Sequence, residues 1–153
     1  MLKKYFSNVT LHRKCLIGYW IVFILAILMY LYSLMLMTGQ GFQAILTGHA
    51  GAAIALFIAM MTGINLLIFY RLEDSVLNDA SKAVILYGLL LQQICTQNLL
   101  GALFLFVYVR AAGYRRTIKR RAVSASAWFV TATLVLIALF SLFLLYRLSG
   151  MIG

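Results

Sequence analysis

The chain has 153 residues, 65% of them apolar and 10% charged, with no proline and a net charge of +10. Soluble domains carry about 25% charged residues, and one this short cannot hide so much apolar surface. Composition therefore excludes a water-soluble fold and points to lipid as the solvent. Thirteen Lys and Arg against Glu73, Asp74 and Asp79 would suggest nucleic acid in a soluble protein. Here the basic residues crowd at the ends of apolar segments, where they meet lipid headgroups, so nucleic acid is not an expected partner.

Four apolar segments follow in chain order, from about Leu16 to Thr38, Ala44 to Tyr70, Ala83 to Val109 and Ala122 to Tyr146. Each exceeds the roughly 20 residues needed to cross a ~30 Å hydrocarbon core. The expected fold is all-α: a single domain over 1–153, a polytopic bundle of four transmembrane helices with the second and third at its centre. The run after Lys14 is too long for a signal-peptide core and lacks a clear cleavage site, so it is expected to be retained. The connectors are short and seven residues follow the last span, so no soluble domain is expected on either side. The expected location is a bacterial cytoplasmic (inner) membrane. Tyr19, Trp20, Tyr70, Tyr108, Tyr114, Trp128, Phe129 and Tyr146 lie toward segment ends, where aromatic rings favour the headgroup level.

Orientation poses a conflict. Positive residues favour the cytoplasmic side, yet three predicted spans separate the cluster Lys3, Lys4, Arg13 and Lys14 from the cluster in the third connector. With Arg71, Lys82 and Arg147, one face of a four-span chain carries seven basic residues. The other carries six: Arg110, Arg115, Arg116, Lys119, Arg120 and Arg121. Three resolutions stay open: insertion with the N-terminus inside, insertion with it outside, or insertion both ways as an antiparallel dimer. One non-spanning segment would also remove the conflict, but none of the four is short.

In the second segment Ala44, Gly48, Ala52, Ala55, Ala59 and Gly63 recur every three or four residues, one face of a helix. Small residues on one stripe let helix backbones approach closely in lipid, so a packing face within the monomer is expected. The third segment carries Gln92, Gln93, Thr96, Gln97 and Asn98. On a continuous helix four of these share an arc of about 140°, and Asn98 points off it, toward a neighbour such as Asn65. Amides in hydrocarbon need hydrogen bonds. The cluster is interhelical glue, a docking point for a partner, or the lining of a polar path. No charged residue sits well inside a span, and without proline or paired glycine interruptions broken transporter-type helices are not expected.

The remaining polar residues point to no chemistry. His49, at the start of the second segment, reads as a hydrogen-bonded interfacial residue, since haem or metal would need a second ligand. The acids of the second connector read as a water-interface turn in which Asn78 or Asp79 caps the third helix. Cys15 and Cys95 read as packing residues, and the triplet Asn8-Val9-Thr10 as a chance match. The basic third connector suits anionic lipid headgroups or an acidic partner. No catalytic set, metal site or cofactor is expected. The function expected is non-enzymatic binding of another membrane protein, as an accessory or assembly subunit or an immunity or exclusion protein, or of a second copy of itself. The competing class is a small oligomeric channel or transporter with an amide-lined path in the third helix.

Overall fold

The structure is a computed structural model and describes residues 8–114 and 122–149, without the side chains of residues 145, 148 and 149. Within these residues it is all-helical: α1 Val9–Thr38, α2 Phe42–Gly48, α3 Ala50–Glu73, α4 Asp79–Cys95, α5 Leu99–Ala111 and α6 Ala125–Ser149. Three of them, α1, α3 and α6, are long and apolar enough to cross a membrane, which makes the chain a membrane protein. The third predicted span is not one helix. It is two, α4 and α5, joined at Thr96–Asn98.

The two run in opposite directions. Lys82 Nζ, near the start of α4, donates to the Glu73 carbonyl at 3.3 Å. Tyr108 Oη, near the end of α5, donates to Glu73 Oε1 at 3.3 Å. Were α5 a continuation of α4, residues 82 and 108 would lie about 39 Å apart. Both instead touch one residue, so α4–α5 is a helical hairpin that leaves the Glu73 end of the molecule and returns to it. Its arms are about 25 and 20 Å long, short of a ~30 Å hydrocarbon core.

The reversal is made without glycine or proline. Asn98 N–H donates to the Gln93 carbonyl at 2.9 Å and Gln97 N–H to that of Ile94 at 3.0 Å. Those are the paired bonds of a Schellman cap, with Gln97 at the left-handed position (φ 58°). Asn98 then caps the next helix, its Oδ1 accepting from Gly101 N–H at 3.1 Å. One residue thus closes α4 and opens α5. Left-handed backbone costs a residue with a Cβ about 1 kcal/mol or more, so Gln97→Gly is expected to raise stability by about 1 kcal/mol. Unfolding in mixed detergent micelles measures it; a loss of stability would mean that the Gln97 side chain contributes more than its backbone costs.

The other ends gather by similar contacts. Arg13, in the first turns of α1, pairs with the Glu73 carboxylate. Asn78 caps α4 by accepting from Ser81 N–H at 2.8 Å, and its Nδ2 donates to the Ala122 carbonyl at 3.0 Å. Ser124 N–H donates to Ser81 Oγ at 2.9 Å, fixing the start of α6 beside the start of α4. The starts of α1, α4 and α6 and the ends of α3 and α5 therefore share one end, the Glu73 face. The α1–α2 turn, where Gly39 (φ 64°) closes α1, lies at the other.

Packing follows from these directions. α1 lies between α3 and α5, α4 lies between α5 and α6, and α3 meets α4 to close a ring of α1, α3, α4 and α5. The most extensive contact joins α4 to α6. Ala127, Thr131, Leu134, Ala138 and Ser141 recur every three or four residues along α6 on its buried side. A Cβ on Gly88 of α4 would sit 3.2 Å from Thr131 Cγ2 and 3.3 Å from Leu134 Cδ1, so glycine sets how closely these helices approach. The centre of the molecule is thus α4 with its hairpin partner, while α3 packs chiefly on α1.

Other expectations shift with the architecture. The second segment bends at His49 (φ −125°, ψ 97°), between α2 and α3. Trp20 is fully buried edge-on to Phe69 (5.6 Å between centroids), which meets Tyr108 in turn (5.1 Å). These rings are core, not headgroup anchors, because the returning arm of the hairpin covers them. Cys15 is exposed, while Cys95 is half-buried at the end of α4.

Candidate functional site

The polar side chains of the apolar segments meet at the hairpin tip. Gln92 and Gln93 sit on the last turn of α4, Thr96 and Asn98 in the reversal, and all four are buried. Asn65 of α3, also buried, donates from Nδ2 to Gln92 Oε1. Asn98 is not its partner, contrary to the expectation from a continuous helix; the reversal carries Asn98 over to α1, where Tyr19 Oη donates to Asn98 Oδ1 at 2.5 Å. Thr96 Oγ1 folds back onto the carbonyls of Gln92 (3.0 Å) and Gln93 (3.2 Å), which also accept the backbone N–H groups of Thr96 and Asn98. Three separate elements, α1, α3 and the hairpin, are thus tied at one level inside the apolar layer.

Two amides differ from the rest. Gln97 is exposed, because the left-handed turn swings it off the arc it would share with Gln93 on a helix. Gln93 is fully buried, yet neither atom of its amide has a hydrogen-bond partner among the described residues. A buried polar group without a partner costs about 1–3 kcal/mol.

The Asn65–Gln92 pair gives a clean test. Asn65→Leu or Gln92→Leu alone strands the other amide and should lower stability by about 1–2 kcal/mol, while the double Leu variant should recover part of that. A double-mutant cycle in micelles reads the coupling; additive losses would mean that the two amides do not depend on each other.

The small-residue stripe divides at the bend. Ala52 and Ala59 are buried, Ala55 is half-buried, and Gly63 lies toward Ile24 of α1, whose Cδ1 would be 3.9 Å from an added Cβ. Ala44 and Gly48, before the bend, are exposed, and so is His49. No neighbour lies within 4 Å of a Cβ placed on Gly48.

At the Glu73 face one residue serves as a hub: its carboxylate pairs with Arg13 of α1 and accepts from Tyr108 of α5, and its backbone carbonyl accepts from Lys82 of α4. Burial pushes the nearby Tyr114 phenol above its ordinary range, so it remains a neutral hydrogen-bonding group at physiological pH. Arg110 is exposed at the end of α5. Arg115, Arg116, Lys119, Arg120 and Arg121 lie outside the described residues; the segment carrying them begins at Tyr114 and ends at Ala122. Among the described residues no three His, Cys, Asp or Glu side chains gather as metal ligands would.

The Glu73 hub and the α6 stripe are what sequence reasoning missed. The stripe was legible as a three–four repeat of small residues; the hub was not, since its members are far apart in the chain. No protein-family model, curated protein sequence or solved structure matches the chain.

Proposed function

We propose that this chain is a small non-enzymatic membrane protein that binds another membrane protein through its basic face, as an accessory or assembly subunit or an immunity or exclusion protein. The observation that carries the reading is the placement of charge. Among the described residues every Lys and Arg except Arg147, namely Arg13, Lys14, Arg71, Lys82 and Arg110, lies near a helix end at the Glu73 face. Three helices cross, the α4–α5 hairpin enters and returns, and the basic face is cytoplasmic by the positive-inside rule. A bacterial inner membrane fits this orientation. The buried amides Asn65, Gln92, Gln93 and Asn98 are enclosed within the chain, out of reach of a partner, and all but Gln93 act as glue.

The test is to replace Arg110, Arg115, Arg116, Lys119, Arg120 and Arg121 by Gln and to measure partner binding and thermal stability together. Binding should fall while stability holds. Unchanged binding by the neutralised protein would sink this reading.

A second reading, a small oligomeric channel or transporter, is favoured by one observation. The hairpin brings helix ends and the unpaired Gln93 amide into the apolar layer, as broken helices do at transport sites. Under this reading Gln93→Leu stabilises the fold but abolishes solute flux in liposomes containing the purified chain alone. Any such flux by the unmodified chain would replace the binding reading.

A further inference from the structure

The ring and the outlying α6 leave a cleft between them at the Glu73 face. Its volume is about 350 Å³. Leu67, Ile68 and Leu72 of α3, Ile85 of α4 and Val130 of α6 form an apolar wall. Arg71 and Ser75 line the end nearest the face. The cleft arises because α6 is drawn against α4 by small residues and stands away from α3, so no side chain fills the wedge.

We infer that this cleft is a binding site for one acyl chain of an anionic phospholipid, with its phosphate on Arg71. Three observations carry it. The walls offer hydrocarbon contact and nothing for a polar ligand. Arg71 is exposed, and among the described residues no carboxylate lies within ion-pair distance of it, whereas Arg13 is held by Glu73. Arg71 also lies at the end of α3, on the face it shares with Arg13, Lys14, Lys82 and Arg110, so the surrounding field selects an anionic headgroup over a zwitterionic one. A guanidinium matches a phosphate with two parallel hydrogen bonds, and it does so at the depth where a lipid phosphate lies. Basic pockets between membrane helices on the cytoplasmic side are recurrent sites for acidic headgroups.

The experiment is native mass spectrometry of the intact chain released from nanodiscs containing phosphatidylglycerol and phosphatidylcholine. Wild type should retain one phosphatidylglycerol in preference to phosphatidylcholine. Arg71→Gln should cut that preference about five-fold, the worth of one basic contact at an anionic surface. Val130→Trp, filling the cleft, should remove the tightly held lipid of either class, and Leu67→Trp serves the same purpose if the first variant does not fold. Arg147→Gln, equal in charge but at the far end of α6, should leave retention as in wild type. Unchanged retention in Arg71→Gln and in the folded tryptophan variant would overturn the site. An equal loss in Arg71→Gln and Arg147→Gln would overturn it too, since the lipid would then follow net charge alone.

Discussion

Single cysteines at Asn8, Ser75 and Ser124, in a chain lacking Cys15 and Cys95, should react with a membrane-impermeant maleimide from the cytoplasmic side only. A cysteine at Gln40 should react from the other side only. The expected contrast is all-or-none, because the positions lie on opposite faces of a ~30 Å hydrocarbon layer. Asn8 caps α1, Ser75 follows α3 and Ser124 precedes α6, and the contacts of Glu73 and Ser81 draw all three to one end. Four spans would instead place Ser124 with Gln40, and that single result would overturn the hairpin. Labelling of every position from both sides would mean dual insertion. A seven-to-six balance of basic residues would permit that; a face that holds every described Lys and Arg but Arg147 opposes it.

Gly101→Ala should destabilise the protein by about 1–3 kcal/mol, and Gly101→Val should prevent its accumulation in folded form. In an ordinary helix the alanine change has the opposite sign and stabilises by about 0.5–1 kcal/mol. Gly101 lies on the first turn of α5, against the reversal. A Cβ there would be 2.9 Å from Asn98 Oδ1 and 3.0 Å from Asn98 Cγ, with Gln93 Oε1 nearer still. The glutamine can move, but the asparagine cannot, since Tyr19 Oη and Gly101 N–H both hold its oxygen. Gly18→Ala is the control. It is also helical, with no atom within 4 Å of the added carbon, and should be neutral or stabilising. Unfolding of both variants in the same micelles makes the comparison, and equal effects would refute the role given to Gly101.

The charge conflict was the legible trace of the hairpin. A hydropathy window sums the two arms over 83–109 into one apolar run, and nothing in it breaks a helix by composition. The signals present were an excess of length over the roughly 20 residues a span needs and an Asn three residues before Gly101. Cap-forming Asn98 resembles a buried amide as long as the helix is assumed to continue. Likewise, Gln97 seemed to share a face with Gln93 only at 100° per residue; a left-handed residue between helices ends that periodicity.

By itself the sequence determined the solvent, the helical class and where α1, α3 and α6 run, because these depend on length and local apolarity. It also held the Asn78 cap, a contact between near neighbours. Only the tertiary structure decided which way α5 points, and with it the side of the basic connector, the partners of Asn65 and Asn98, and the burial of Trp20 and Tyr108. The physical reason is that the turn at Thr96–Asn98 is stabilised from outside its own segment, by Tyr19 on α1, by Asn65 on α3 through Gln92, and by Glu73 at the far end of the arm. Contacts so far apart in the chain leave no period to read.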